Sequence, residues 1–301
     1  MKLKKISLKD REIFNDYLAL AKPQLSVYAF ENIYIWRTLF NIQWAVIKDN
    51  LCVFFQDKIG CFLYIPPQGE TQKPEVIEEV FMIMDKFNSN KNISRIENIE
   101  EKDLSIYRDL GYECKEKFSE YLCSKSELVK LTGDRFKSKR SAFNYFVRNY
   151  EYEYMPFTLK YRDSCLKLYS QWMNFNKTKN EDSLYQGLLS DSRICLEALL
   201  DDYEGLGIIG RVVKMQQEIK AFTFGFKISE DIFCILYEIT DLSVKGLAQF
   251  IFRVFCKELA GYKYINIMDD SGLANLKRVK LSYRPIKLIP SYIVTRKCKK
   301  T

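Results

Sequence analysis

The chain contains no histidine in 301 residues. That absence removes the usual general base, the Ser-His and Cys-His nucleophile pairs and nearly every catalytic zinc site, leaving proton transfer to Glu, Asp, Tyr or Lys. A C-x-x-C pair is also lacking. The nine cysteines, Cys52, Cys61, Cys114 and Cys234 among them, mostly sit inside apolar runs, the habit of buried reduced thiols rather than of a disulfide scaffold. No stretch approaches the roughly 20 uncharged apolar residues of a membrane span. The opening MKLKKISLKDREIFNDYLAL carries charge where a signal peptide needs a continuous apolar run. The sequence therefore reads as soluble and cytoplasmic, and nothing in it fixes an oligomeric state.

What is present is apolar: 47% hydrophobic and 15% aromatic residues, ample for two cores in a chain longer than one core usually serves. The pattern reads as a helix over 9–22, a buried run at 30–36, and a strand meander over 44–47, 51–55 and 61–65. A helix opened by Pro74, a strand over 93–97, a helix over 101–110 and a strand over 112–123 follow. The second half repeats this order. Helices over 161–175 and 183–201 precede strands over 208–214, 219–227 and 231–240, a helix over 243–260, a strand over 263–268, a helix over 272–281 and a strand over 286–295. An offset of 171 aligns 95–122 with 266–293 without a gap, pairing Ile96 with Ile267, Leu110 with Leu281, Tyr112 with Tyr283 and Tyr121 with Tyr292. Few identities gain weight when the same shift lays strand on strand and helix on helix. The expected division is residues 1–125, a basic connecting helix over 126–150, and residues 151–301.

A strand meander followed by helix, strand, helix and strand is the element order of the GNAT acyltransferase fold, and Ser105-Ile-Tyr-Arg-Asp-Leu-Gly-Tyr112 resembles the "LY-x-x-x-GF" close of its last helix. The stretches 30–36, 121–128, 136–144 and 269–285 resemble a bacterial family named after the C-terminal domain of phosphatidylglycerol lysyltransferase. That family is similar to the Fem-type aminoacyltransferases, tandem GNAT folds that use aminoacyl-tRNA in place of acetyl-CoA. The resemblance implies an α/β (α+β) chain of two GNAT-like domains with mixed, mainly antiparallel sheets flanked by helices. It also implies acyl or aminoacyl transfer from a phosphate-bearing donor, acyl-CoA or aminoacyl-tRNA, with no tightly bound cofactor.

Candidate site residues follow. Acetyl-CoA enzymes of this fold hold pyrophosphate in a glycine-rich turn at a helix N-terminus. Here the turn reads Asp241-Leu-Ser-Val-Lys-Gly-Leu247, leaving Lys245 and Gly246 as its remnant, or a plain strand-to-helix connection. From Lys125 to Arg148 seven basic residues face two acids. On a helix Lys137, Arg140, Asn144 and Arg148 share one face while Phe143, Phe146, Val147 and Tyr150 share a packing face. With Lys139 this ridge could hold tRNA or other phosphates, or simply be a solvated helix. Glu238, on the last strand of the second meander, is a candidate base for an attacking amine, although simple alternation sets it apart from Ile235 and Ile239 and leaves open that it faces solvent. Asp269 and Asp270 could grip a substrate ammonium, or Asp270 or Ser271 could merely cap the next helix; adjacent acids without further ligands propose no metal. Tyr107 fits the position of the family's general-acid tyrosine, but Arg278 stands at the aligned place in the second half. The rival readings are a non-catalytic binder on a decayed fold and a CoA-dependent N-acetyltransferase.

Overall fold

The computed structural model describes residues 2–71, 73–179 and 181–297. Along the chain lie β1 (Lys4–Lys5), α1 (Arg11–Leu20), α2 (Phe30–Tyr34), β2 (Asn41–Ile47), β3 (Asn50–Gln56), β4 (Cys61–Leu63), α3 (Pro74–Phe87), β5 (Arg95–Glu100), α4 (Leu104–Asp109) and β6 (Glu113–Ser124). The chain continues through α5 (Lys125–Lys130), α6 (Lys137–Asn149), β7 (Glu153–Pro156), α7 (Arg162–Lys179), α8 (Ser183–Asp201), β8 (Ile209–Met215), β9 (Glu218–Lys227) and β10 (Ile232–Thr240). It ends with α9 (Leu247–Glu258), β11 (Tyr264–Asn266), α10 (Ala274–Leu281) and β12 (Lys287–Thr295). The sequence reading placed most of these elements closely, and the buried run at 30–36 is largely helical (α2); β1 and β7 were not foreseen, and the connecting helix expected over 126–150 is two helices, α5 and α6, parted where Leu131 takes a left-handed φ of 51°.

Two compact units emerge, neither of them contiguous. The first holds Met1–Glu120, Asp269–Lys277 and Leu288–Thr301; the second holds Tyr121–Met268 and Arg278–Lys287, so the connecting helix α6 is part of it. In the first unit the strand order is β1-β2-β3-β4-β5-β12. All its pairs are antiparallel except β4 with β5. In the second the order is β7-β8-β9-β10-β11-β6, again antiparallel except for β10 with β11. The strand orders of the two units follow one plan, which is what an internal duplication leaves behind. The closing strands are exchanged: β12, from the end of the second half, pairs with β5, while the end of β6 pairs with β11.

Local chemistry explains the repeated parts. The β2–β3 hairpin turns through Lys48 and Asp49, and the β8–β9 hairpin through Gln216 and Gln217, all four at positive φ. Two left-handed residues in a row form the turn whose twist suits a two-residue hairpin. The crossover helices α3 and α9 connect the parallel pairs. α3 buries Val76, Ile77, Val80, Phe81 and Met84, and α9 buries Leu247, Phe250, Ile251, Phe252, Phe255 and Cys256, each an apolar stripe at helical spacing.

In the second unit α6 seals one end of α9. Phe146 is fully buried, with its ring centroid 4.7 Å from Phe250 and 5.0 Å from Tyr152. Emptying that place removes a large buried ring and leaves a cavity, so Phe146→Ala is expected to destabilise the second unit by about 3–5 kcal/mol. Denaturant unfolding followed by tryptophan and tyrosine fluorescence would measure the loss.

Candidate functional site

The site of interest lies in the second unit, where β10 and β11 part. Their pairing covers only Ile232–Cys234 against Tyr264–Asn266, and β10 then runs on to Thr240 paired with β9 alone. Within that stretch the register against β9 slips between Ile235 and Tyr237, a β-bulge that gives Leu236 no partner. A bulge reverses the alternation of side chains that follow it. Ile235 thus packs with Phe252 and Phe255 of α9, whereas Tyr237 turns to the other face and donates to the Ser192 carbonyl at 2.8 Å. Glu238 is carried to the α9 face, where its charge is felt by Cys256 and Tyr283. The solvent-facing alternative for Glu238, which rested on unbroken alternation, is therefore overturned by one extra residue.

Around Glu238 the surroundings are dry and basic. Its Oε2 is shielded from water and has no hydrogen-bond partner among the described residues. Burial pushes the carboxyl up to about 8, opposed by the ammonium groups of Lys139 and Lys280. Lys139 is half-buried with its Nζ 3.4 Å from the centroid of the Tyr283 ring, and desolvation brings it down to about 8 against the pull of Glu238. Tyr283 is held in turn by Phe252, ring centroids 4.2 Å apart, and Lys280 donates to the Ile267 carbonyl at the end of β11. An orphaned buried carboxylate oxygen costs about 1–3 kcal/mol, a cost that a ligand's N–H would relieve. Lys280 and Tyr283 escaped the sequence reading because only the bulge and the fold of α10 bring them to Glu238. Tyr283 is also part of the core around Phe252 and Phe255.

The other basic residues separate from Lys139. Lys137, Arg140, Asn144 and Arg148 share the outer face of α6 and, with Ser141, Tyr145 and Asn149, line a shallow groove of about 420 Å³. Arg140 is anchored there by the Gly133 carbonyl at 2.8 Å and by the Leu131 carbonyl. The inner face carries Phe143, Phe146 and Tyr150 as expected, but Val147 is exposed. One helix therefore offers a lysine to the β10–β11 mouth and an open cationic groove on its outer side.

Gly246 and Lys245 serve packing. Gly246, before the first turn of α9, has φ +86°, and a Cβ there would lie 2.2 Å from the Ala142 carbonyl oxygen of α6. Lys245 places its Nζ 4.4 Å from the centroid of the Tyr145 ring. The helix N-terminus at which a pyrophosphate would sit is thus in contact with α6, in keeping with the plain strand-to-helix connection. Asp241 is engaged by Lys220 at 3.1 Å and by Ser243.

Asp269 and Asp270 belong to the first unit. Asp269 Oδ1 accepts from the Ser271 N–H at 2.7 Å and Asp270 Oδ1 from the Gly272 N–H at 2.9 Å. These are turn-forming bonds to residues ahead of α10, and neither carboxylate is bonded to an N–H of the helix itself in these contacts. Tyr107 is fully buried, its hydroxyl without a partner among the described residues, which gives a substrate no route to it.

Residues 18–295 match the family model of the phosphatidylglycerol lysyltransferase C-terminal domain. The chain belongs to that family. No curated protein sequence matches it. Among solved structures, a conserved protein of unknown function from Bacteroides thetaiotaomicron is 26% identical with a TM-score of 0.86, covering 99% of this chain and 100% of its own. L-PGS from Bacillus licheniformis is 18% identical with a TM-score of 0.65 over 99% and 94%. FemX is 11% identical with a TM-score of 0.64 over 97% of each. The shared fold is the tandem GNAT one, with mixed α/β units as the sequence implied. Membership in the lysyltransferase family sets the activity class as acyl or aminoacyl transfer and does not favour the non-catalytic alternative. Among the described residues no helix is long and apolar enough to cross a membrane.

Gly246→Ala tests the packing role of the turn. The positive φ and the contact with the Ala142 carbonyl both oppose a methyl group, so the variant is expected to lower stability by about 1–3 kcal/mol. Thermal melting beside Gly261→Ala, which shares a positive φ but has open space around it, would separate strain from collision.

Proposed function

We propose that the chain transfers an aminoacyl group from aminoacyl-tRNA to an amine, with Glu238 and Lys139 managing the proton. The observation that carries this reading is the orphaned Oε2 of Glu238, raised to about 8 beside a lysine lowered to about 8. A base of that strength suits an ammonium nucleophile, which must lose a proton before it attacks. The amine nitrogen then adds to the ester carbonyl carbon, the C–N bond forms, and the C–O bond to the terminal ribose breaks. Nitrogen gives up two protons between ammonium and amide: Glu238 passes one to the departing ribose oxygen and the other leaves to solvent, so the enzyme ends as it began. No covalent enzyme intermediate is needed.

The groove on α6 supports the choice of donor. Lys137 and Arg148 offer cations to backbone phosphates there, with Arg140 fixed between them. The α6 contact over Gly246 speaks against acyl-CoA, whose pyrophosphate would need that helix end. In this reading the protein carries no resident cofactor, its RNA partner is a substrate, and it works in the cytoplasm. The eight described cysteines, all free and mostly buried, suit a reducing compartment.

A panel of radiolabelled aminoacyl-tRNAs and acyl-CoAs with amine acceptors tests the proposal. Transfer from aminoacyl-tRNA is expected, with kcat falling about 10²–10⁴-fold in Glu238→Gln. Absence of transfer from every donor, or full activity in that variant, would overturn it. Because Glu238 is protonated below about 8, kcat should rise with pH as the carboxylate forms and level off above it. That rising limb should vanish from whatever activity Glu238→Gln retains. Lys137→Ala with Arg148→Ala should raise KM for the tRNA donor roughly tenfold while leaving kcat nearly unchanged.

A further inference from the structure

In the first unit a cavity of about 390 Å³ opens where the last turn of α1, the β2–β3 hairpin turn and the segment before α3 meet. Tyr17 and Leu20 line it from α1, Asp49 and Asn50 from the hairpin, and Glu70 and Lys73 from the segment. Backbone bonds hold these walls. Leu51 N–H donates to the Gln68 carbonyl at 2.7 Å and Gln68 N–H to the Leu51 carbonyl at 2.9 Å, strapping the segment to β3. The left-handed pair Lys48 and Asp49 fixes the hairpin turn.

Asn50 is the unusual member. It is 1% exposed and its Nδ2 donates to the Lys48 carbonyl at 2.9 Å, yet its Oδ1 has no partner among the described residues. Gly69 keeps the space beside that oxygen, since a Cβ there would stand 2.6 Å from it. A buried amide oxygen without a donor is costly, and an incoming N–H removes the cost.

The charges around Asn50 call for a cation. Glu70 is exposed, with no hydrogen bond or ion pair among the described residues. The Asp49 side chain is 94% exposed, and the Lys73 Nζ that pairs with it is 3.7 Å away. Lys73 also shows what kind of cation suits the place: its ammonium, on a flexible alkyl stem, donates to the Lys48 carbonyl at 3.1 Å. That one ammonium leaves Asn50 Oδ1 and Glu70 without a donor.

We propose that this cavity binds a small molecule bearing a primary ammonium on an alkyl chain. Such a group carries three donors, enough for Asn50 Oδ1 and the carboxylates of Asp49 and Glu70, and bonds from a cation to a carboxylate are the strong ones. Leu20, 48% exposed, and the Tyr17 ring offer apolar surface to the chain. A divalent metal is less well served, because among the described residues no three acidic side chains converge. The site lies wholly in the first unit and does not depend on the transfer chemistry.

Calorimetric titration of the full chain with 1,5-diaminopentane, beside 1-pentanol and pentanoate, tests it. Only the diamine is expected to bind. Asp49→Asn with Glu70→Gln should weaken it roughly tenfold or more. The melting temperature should not change, because both side chains are exposed and Asn suits the left-handed position of Asp49. Gly69→Ala, which fills the space beside Oδ1 and leaves both carboxylates in place, should weaken binding by a similar factor. Three outcomes would overturn the proposal: no heat from the diamine; binding that 1-pentanol shares or that survives the carboxylate substitutions; or calcium binding more tightly than the diamine, which marks a metal site.

Discussion

The site depends on one unpaired residue, Leu236. Without the bulge that isolates it, β10 would keep its alternation and Glu238 would lie across the sheet from α9, away from Lys139, Lys280 and Tyr283. With the bulge, the strand turns a half-buried carboxylate towards α9 just beyond the point where β11 leaves it. The raised carboxyl, the lowered ammonium and the orphaned oxygen all follow from that placement. A bulge also strengthens local twist, which suits a strand that must leave one neighbour while keeping the other.

The two units share a strand plan but differ in chemistry. The first keeps its tyrosine at the position of the family's acid and buries it completely. Its buried carboxylates all have partners: Glu100 accepts from Gln24 N–H and Glu120 from the N–H and hydroxyl of Ser26, fastening the connection after α1, while Glu31 pairs with Arg11 and Glu97 with Arg95 and Lys117. The second unit leaves its buried carboxylate oxygen without such a donor.

The elements were legible because periodicity and turn residues state them locally: the apolar stripe of α9, the Pro at the start of α3 and the repeated order at an offset of 171 all survive without tertiary knowledge. The face of α6 bearing Lys137, Arg140, Asn144 and Arg148 was legible for the same reason. Lys139 was grouped with them by charge, yet helical geometry turns it to the opposite side and into the neighbourhood of Glu238. The bulge left no mark in the sequence, since Leu236 fits a regular strand as well as an irregular one. Nor could sequence show that Gly246 answers to the carbonyl of Ala142, a contact between segments far apart along the chain.

The exchange of closing strands has a consequence for how the protein is made. Glu100 must wait for Ser291 before the edge of β5 is paired, so the first half leaves the ribosome with an unsatisfied strand and stays in that state while the second half is synthesised. An open edge of this kind invites pairing with other chains, and contacts so distant in sequence form slowly. The exchange therefore couples the folding of the two halves in time: the half that emerges first is among the last to be finished.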